Sequence, residues 1–509
     1  MASDESNLEK RNSMTKPPIE RTSSQGQGSI TPVHDAHGDL VTNNVIVDET
    51  IEAIGFGKFQ WQLTFSCGFG FLVDQMLLVS ISLVTPQAAM EFGPKYPTLL
   101  SASNYAGLLF GAVVLGALAD NIGRRLVWQA SIFGISIFTM IAASSPNWAA
   151  LNAFLCICGL FGGGNLAIDL AILAESIPRR WSFVLPGLAA IWGVGNVFTG
   201  LIAWPLLVNF GCPSGSTPDT CSKSDNMGWR YLYIVLGGLC FFMSLIRSFV
   251  LRSQESPRWL IACGRIPEAV DVLNTISSTN GSNYTVSADQ FIPVPERTEK
   301  ETLSFHENIR RAMGLFSGAK QCRLMVCLML MWMLIGIAYP LYTIFLPYYL
   351  AAHGAELGDG STYTAYRDWT VSSAVGVVGP FVSMYMVSLK LFKSKKSLFI
   401  MACICTAFSG AFTTVRTSGQ NLAFSSMINF SLNGLYAIIY SYTPLALNVE
   451  HRGLGAGFLM ALGRLSSLSA PFIATFSDVT TPAPIWVSCG CYIAIGLIAL
   501  VLPVDTATF

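Results

Sequence analysis

Charge is scarce in this chain. Only 12% of its 509 residues are Asp, Glu, Lys or Arg, about half the share usual in a soluble protein. The 30 basic and 30 acidic residues cancel, so no global field favours a nucleic-acid partner. The 13 cysteines show no zinc-type spacing, and most lie inside apolar runs, where they pack as small hydrophobes. No metal-ligand cluster and no nucleophile–base arrangement appears, and His306 sits in a polar segment, so neither an enzyme nor a cofactor is expected. The glycines Gly159, Gly162, Gly163 and Gly164 are followed by no Gly-Lys-Ser/Thr and lie within an apolar stretch, which removes a nucleotide-binding loop. The N-terminus lacks a short apolar core with a cleavage site, so no signal peptide is expected.

What the chain has instead is apolar surface. Hydrophobic residues make up 52% of it, in runs of about the twenty residues a helix needs to cross a bilayer. The runs fall near 59–82, 99–119, 126–145, 150–173, 183–208, 230–251, 324–347, 368–389, 397–415, 421–446, 454–476 and 485–503. A long polar segment separates the sixth from the seventh. The fold class expected is therefore all-α and integral to the membrane, with twelve transmembrane helices in two six-helix bundles. Residues 1–50 read as a disordered, solvated tail, 51–251 as the first bundle, 252–322 as a linker with short helices, and 323–505 as the second bundle. The small residues that pepper the spans let helices approach closely and rock.

Basic residues give the orientation. Even-numbered spans end in Arg124 and Arg125, Arg179 and Arg180, Arg252 and Arg258, Lys390 to Lys396, and Arg452; the opposite loops hold only Lys95, Lys223, Arg230, Arg367 and Arg416. Both termini and the linker are thus expected in the cytoplasm, and the sequons at Asn280 and Asn283 are expected to stay unglycosylated. Cys212 and Cys221 fall in a short outer loop on the oxidising side, as a disulfide staple or as two free thiols. In the linker, Ser256-Pro257 reads as an N-cap and first helical position. Pro267 opens a second helix with Ala269, Val270, Leu273 and Ile276 on one face, and Ser304 to Glu307 forms a capping box before a third. Such helices can lie under both bundles and couple them.

Several strings carry a family resemblance. Gly116-Ala-Leu-Ala-Asp120-Asn-Ile-Gly123-Arg124-Arg125, on a hinge between spans two and three, resembles the Gly-x-x-x-Asp-x-x-Gly-Arg-Arg loop signature of major facilitator transporters. Glu255-Ser-Pro-Arg258, with Gly264-Arg265 and Glu268-Ala269, is similar to a signature of sugar porters and organic-ion transporters. Phe59-Gln60 leading to Asp74, Gly164-Asn165 with Asp169, Glu175 and Pro178, and Tyr442-Thr443-Pro444 with Arg452-Gly453 resemble the synaptic-vesicle-protein-related branch, its fungal members above all. There are departures. Leu445 stands where that branch usually carries an acid, and the second-half loop at Leu389 to Lys396 has lost the Asp and Gly-Arg-Arg pattern. The drug–proton antiporter signatures of spans four and five are absent.

The resemblance implies the facilitator fold and solute transport; the function expected with it is secondary transport of a small organic solute by alternating access, coupled to protons through a mid-span carboxylate and carried out by a monomer. Export of a specialised metabolite and uptake of a sugar, organic acid or vitamin-like nutrient both remain open, as does a transporter-like sensor that no longer moves solute. A plasma-membrane location is expected, with vacuolar or vesicular membranes as alternatives.

Within that frame the residues divide by role. Asp74, mid-span, and Asp169 are candidates for proton coupling, because an ionised carboxylate there is costly. Asp169 can equally belong to the gate. Asp120, Arg124, Arg125, Glu175, Arg179, Glu450 and Arg452 are candidate gating charges; the resemblance puts Asp120 against a helix N-terminus, and Glu175 and Glu450 can pair with Arg179, Arg180 or Arg452. Asn165 is one turn from Asp169 and shares its face. Trp192 and Asn196, Tyr339 and Tyr342, and the stripe Asn429, Asn433, Tyr436 and Tyr440 complete the candidate substrate walls. Arg247 pairs with an acid or snorkels to the surface.

Overall fold

The computed structural model describes residues 36–181, 184–213, 215–251, 254–294, 315–357, 362–389, 391–447, 452–476 and 482–505. Its helices are α1 (Ala36–Ile54), α2 (Lys58–Phe92), α3 (Leu99–Ile122), α4 (Arg124–Ala142), α5 (Trp148–Ser176), α6 (Val184–Asn209) and α7 (Gly228–Leu245) in the first half. After the linker helices α8 (Pro257–Ala262) and α9 (Ile266–Asn280) come α10 (Ala319–Leu357), α11 (Thr362–Gly376), α12 (Val378–Ser388), α13 (Lys393–Phe412), α14 (Ser418–Ala446), α15 (Arg452–Ser467), α16 (Ser469–Phe476) and α17 (Ala483–Val501).

Twelve of the described segments are long and apolar enough to cross a membrane, with α11 and α12 forming one of them and α15 and α16 another. Their ends follow local chemistry. The Asn147 side chain accepts from Ala150 N–H and Thr417 from Gln420 N–H, each capping the start of a span. Gly93 closes α2 at φ 59°, a left-handed conformation that suits glycine.

The helices of the first half pack with one another, α3 on α5, α4 on α5 and α7, and α2 on α6; in the second half α13 packs on α14 and α17, and α10 on α15 and α17. The tightest seam is between α3 and α5. Gly107 and Gly111 lie against the carbonyls of Cys156 and Leu160, and Gly159 and Gly163 against those of Asn104 and Leu108, leaving no room for a Cβ. Reciprocal small residues four apart allow this backbone contact. Between the halves, α6 meets α11, α12 and α14, α3 meets α15 and α16, and α2 meets α10.

Two expectations change here. Residues 36–50, expected to belong to a disordered tail, form α1 together with residues 51–54. Val47 and Ile51, one turn apart, are buried with Leu260, Ile261 and Leu273 of α8 and α9, so this polar stretch is held by a tertiary partner that composition does not reveal. Residues 1–35 lie outside the described residues. Among the described residues α8 and α9 pack chiefly with the first half and not under both: α9 lies on α2 and α1, and the Asn280 side chain accepts from Phe59 N–H and donates to Gln60 Oε1. The first two linker helices are built as expected, with Ser256 accepting from Trp259 N–H and Ala269, Val270, Leu273 and Ile276 buried. The third, from Ser304, lies outside the described residues. Cys212 and Cys221 are joined in a disulfide with Cα atoms 6.0 Å apart.

Candidate functional site

A cavity of about 70 Å³ lies between the two halves; at about 10–15 Å³ per water centre it has room for a few waters or one small ring. Each half supplies walls. From the first come Tyr105 of α3, Asp74 and Gln75 of α2, and Trp192 of α6; from the second come Trp332 and Tyr339 of α10, Asn433, Tyr436 and Tyr440 of α14, and Arg464 of α15.

The lining is largely aromatic, and its rings meet across the seam. Trp192 stands edge-on to Tyr440 across the seam at 4.7 Å and 84°, and within the second half Tyr440 stands edge-on to Trp332 at 4.7 Å and 69°. Such contacts add about 0.5–1.5 kcal/mol each beyond area burial. The Gln75 side-chain amide donates to the Tyr339 hydroxyl, a second tie from one half to the other. Toward the end of the bundle that carries the disulfide, Thr98 pairs with Thr475 at 2.5 Å and the Tyr366 hydroxyl donates to Leu83 C=O at 3.1 Å. Two charges face the cavity, Asp74 and Arg464. Among the described residues neither side chain makes a hydrogen bond or an ion pair.

A separate charged cluster is sealed inside the first half. Arg247 donates to Asn165 Oδ1 at 2.9 Å and to Asp169, whose carboxylate also accepts from Trp128 Nε1 and Asn165 Nδ2. The Arg247 and Asp169 side chains are 0% exposed, and the guanidinium lies 3.6 Å from the Trp128 ring centre. A buried pair is tolerable only with its remaining hydrogen bonds met, and these partners meet most of them.

At the linker end, a third set joins three helices. Arg124 pairs with Glu175 at 2.5 Å, and the Ser256 hydroxyl donates to Glu175 at 2.6 Å. Glu255 accepts from the N–H groups of Arg124 and Arg125, placing an anion on the unpartnered amides that start α4. Gly123 adopts φ +106°, and a Cβ there would stand 2.7 Å from Glu255 Oε2, so this glycine permits both the hinge and the cap. Burial alone would raise the Glu175 carboxyl, but Arg124 and Arg258, with hydrogen bonds from Ser256 and Arg124, outweigh it and hold Glu175 below the usual glutamate value. Arg180 pairs with Glu52 at 2.9 Å and Arg258 with Asp48, so α1 is tied to the same end.

The structure thus brings together Asp74, Trp192, Tyr339, Asn433, Tyr436 and Tyr440, and leaves other sequence candidates elsewhere. Asn165 is in the sealed Asp169–Arg247 cluster and lines no part of the cavity. Asn429 is turned to Ser372 at 3.3 Å, because α11 covers that level of α14. Tyr342 is buried within the second half beside Ser425 and Cys405, and Asn196, 4% exposed and one turn beyond Trp192, hydrogen-bonds the Tyr339 hydroxyl without itself lining the cavity. Glu175 takes Arg124 as partner in place of the arginines of its own loop, since Arg180 is drawn to α1. Arg247 pairs with an acid and does not snorkel. The side chains of Asp120, Arg179, Glu450 and Arg452 lie outside the described residues. Sequence reasoning passed over Arg464, although an arginine twelve residues into an apolar helix is itself a signal. It also passed over Gln75, Tyr105 and Trp332, which look like ordinary helix interior until the neighbouring helices are in place.

Comparison with known proteins gives a consistent result. The sequence profile described as Major Facilitator Superfamily matches residues 63–471. The chain is 35% identical over 481 residues to the major facilitator-type transporter hxnZ of Emericella nidulans, covering 91% of this chain and 86% of that protein. It is 34% identical over 489 residues to MFS siderochrome iron transporter 1 of Ceriporiopsis subvermispora, covering 94% and 92%. It is 26% identical over 431 residues to the niacin transporter NiaP of Acinetobacter baylyi, covering 84% and 89%. Among solved structures, the partially occluded, inward-open xylose transporter XylE of E. coli superposes with a TM-score of 0.66 at 13% identity, over 88% of this chain and 98% of that one.

Proposed function

This chain belongs to the Major Facilitator Superfamily and is a multi-pass membrane transporter, not an enzyme, and from that premise we propose that it carries a small ring-bearing organic acid by alternating access, with proton movement at Asp74. The observation that carries the reading is Arg464. A guanidinium in the central cavity, with no ion-pair partner among the described residues, supports an anionic ligand group, since Arg binds carboxylates through two parallel hydrogen bonds. The edge-on aromatic walls suit a flat ring. The cavity size favours one ring over a siderophore in this conformation, and a relative named for niacin points the same way.

Asp74 is a carboxylate deep in a span, where taking up and releasing a proton is the natural use of an acid. The excess of basic residues after even-numbered spans supports cytoplasmic termini, and a plasma-membrane location and a monomer complete the proposal. The same cycle can run either way. Gradient-dependent loss of a preloaded compound would assign it to export, of a specialised metabolite for example.

The test is uptake into vesicles carrying the purified protein. Radiolabelled nicotinate or benzoate should enter, and nicotinamide, which keeps the ring but lacks the charge, should not. Arg464→Gln should reduce uptake by about 10- to 150-fold, the value of a charged hydrogen bond. Equal uptake of the amide and the acid, or an undiminished Arg464→Gln variant, would refute the anionic reading.

A further inference from the structure

Away from the two ends of the bundle, the described charged side chains are four: Asp74, Asp169, Arg247 and Arg464. Two of them, Asp169 and Arg247, neutralise each other in a cluster with 0% exposure. The remaining two, one acid and one base, face the same cavity from opposite halves without forming an ion pair. The other titratable groups lining the cavity are the hydroxyls of Tyr105 on α3, Tyr339 on α10, and Tyr436 and Tyr440 on α14, which are neutral at physiological pH. Asp169 on α5 also feels Asp74, but Arg247 already balances its charge. Among the described residues the core therefore carries one positive and one negative group that face the same cavity without pairing directly.

We infer that transport through this cavity is electroneutral, with one proton on Asp74 accompanying one substrate carboxylate on Arg464 in every cycle. The inference rests on the organic-acid reading above and deepens it. The empty carrier holds Arg464⁺ and Asp74⁻ and sums to zero. When a carboxylate docks on Arg464 the sum becomes −1, and a net charge in a water-poor core is costly. A proton taken by Asp74 from the same side restores zero. After the halves rock, the proton leaves Asp74 to the other side and the carboxylate leaves Arg464 with it. Both species that cross are neutral, and both intermediates with a single occupant are charged and held back. A neutral solute riding with the same proton would give a loaded carrier of +1, so the charge count also selects for monoanions.

The prediction concerns voltage. Purified full-length protein is placed in vesicles, and uptake of radiolabelled nicotinate and benzoate is driven by a pH gradient, with or without a potassium–valinomycin potential of about 100 mV. The gradient should drive accumulation, and the potential should leave it unchanged. Net movement of one charge would shift accumulation by about 50-fold at that potential. A variant gives the second arm. In Asp74→Asn the loaded carrier stays neutral but the empty carrier is +1. Exchange of labelled for unlabelled nicotinate should persist, while net uptake slows by about 100-fold. A merely structural Asp74 would lose both together. Voltage-sensitive uptake, or equal loss of exchange and net uptake, overturns electroneutrality and leaves organic-acid transport standing. Absence of uptake of both acids in the wild type overturns both readings.

Discussion

Replacing Arg247 by Met should be among the most damaging single changes in the chain. Arg247 has no exposed side-chain surface, donates to Asn165 Oδ1 at 2.9 Å and to Asp169, and lies 3.6 Å from the Trp128 ring centre. Met fills much of the volume but leaves the Asp169 carboxylate buried with only Trp128 Nε1 and Asn165 Nδ2 as donors. Removing one member of a buried pair typically costs about 3–5 kcal/mol, largely because of the stranded charge. Adding Asp169→Asn removes that charge while keeping an oxygen for Trp128. The double variant should therefore recover to within about 1–2 kcal/mol of wild type, since an uncharged, well-filled site is often as stable as the pair it replaces. The assay is thermal unfolding in detergent of the wild type, both single variants and the double, read as a mutant cycle. Arg247→Met should melt lowest and the double variant above either single. A double variant that melts at the sum of the two single losses would refute the claim that stranded charge dominates. pH-dependent uptake retained by a stable double variant would leave Asp74 as the proton carrier without help from Asp169.

Three further outcomes follow from the same geometry. Gly111→Leu drives a side chain into the Leu160 carbonyl across the α3–α5 seam; overpacking of this kind costs about 1–3 kcal/mol or more, visible as a lower melting temperature, whereas the same change at Gly116, where nothing lies within 4 Å, should be tolerated. Glu175 is held below its usual value, so its contribution is present above the ordinary glutamate pKa and is lost as pH falls through the lowered one; protease access to the linker end should rise only in acid for the wild type and already at neutral pH for Glu175→Gln. Deleting residues up to 54 strips Asp48 from Arg258 and uncovers Leu260, Ile261 and Leu273, so limited proteolysis should cut near 257–292 while the helical content of the spans is preserved.

How legible the site was depended on whether a residue's role is local or relational. Asp74 announced itself, because a carboxylate deep in an apolar run is costly wherever the neighbours are. Asn433, Tyr436 and Tyr440 emerged from helical spacing, which puts them on one face, but the same spacing also promoted Asn429. Which part of a face meets the cavity depends on where α11 crosses, and Ser372 is what claims Asn429. Asn165 and Asp169 share a face, as their i, i+4 spacing implies, but Arg247, from a helix about eighty residues later, seals them away from the cavity. Arg464 carried the same kind of signal as Asp74 and was passed over among the glycines and leucines of span eleven.

By itself the sequence determined the number of spans, their helical form and the scarcity of charge between them, because a bilayer offers backbone amides no other partner and the cost of each misplaced charge is paid locally. Tertiary structure alone decided which polar groups neutralise one another and which are left facing a cavity. That outcome depends on distances between helices far apart in the chain: Arg247 reaches Asp169 and is silenced, whereas Asp74 and Arg464 meet across a gap between two halves and stay available.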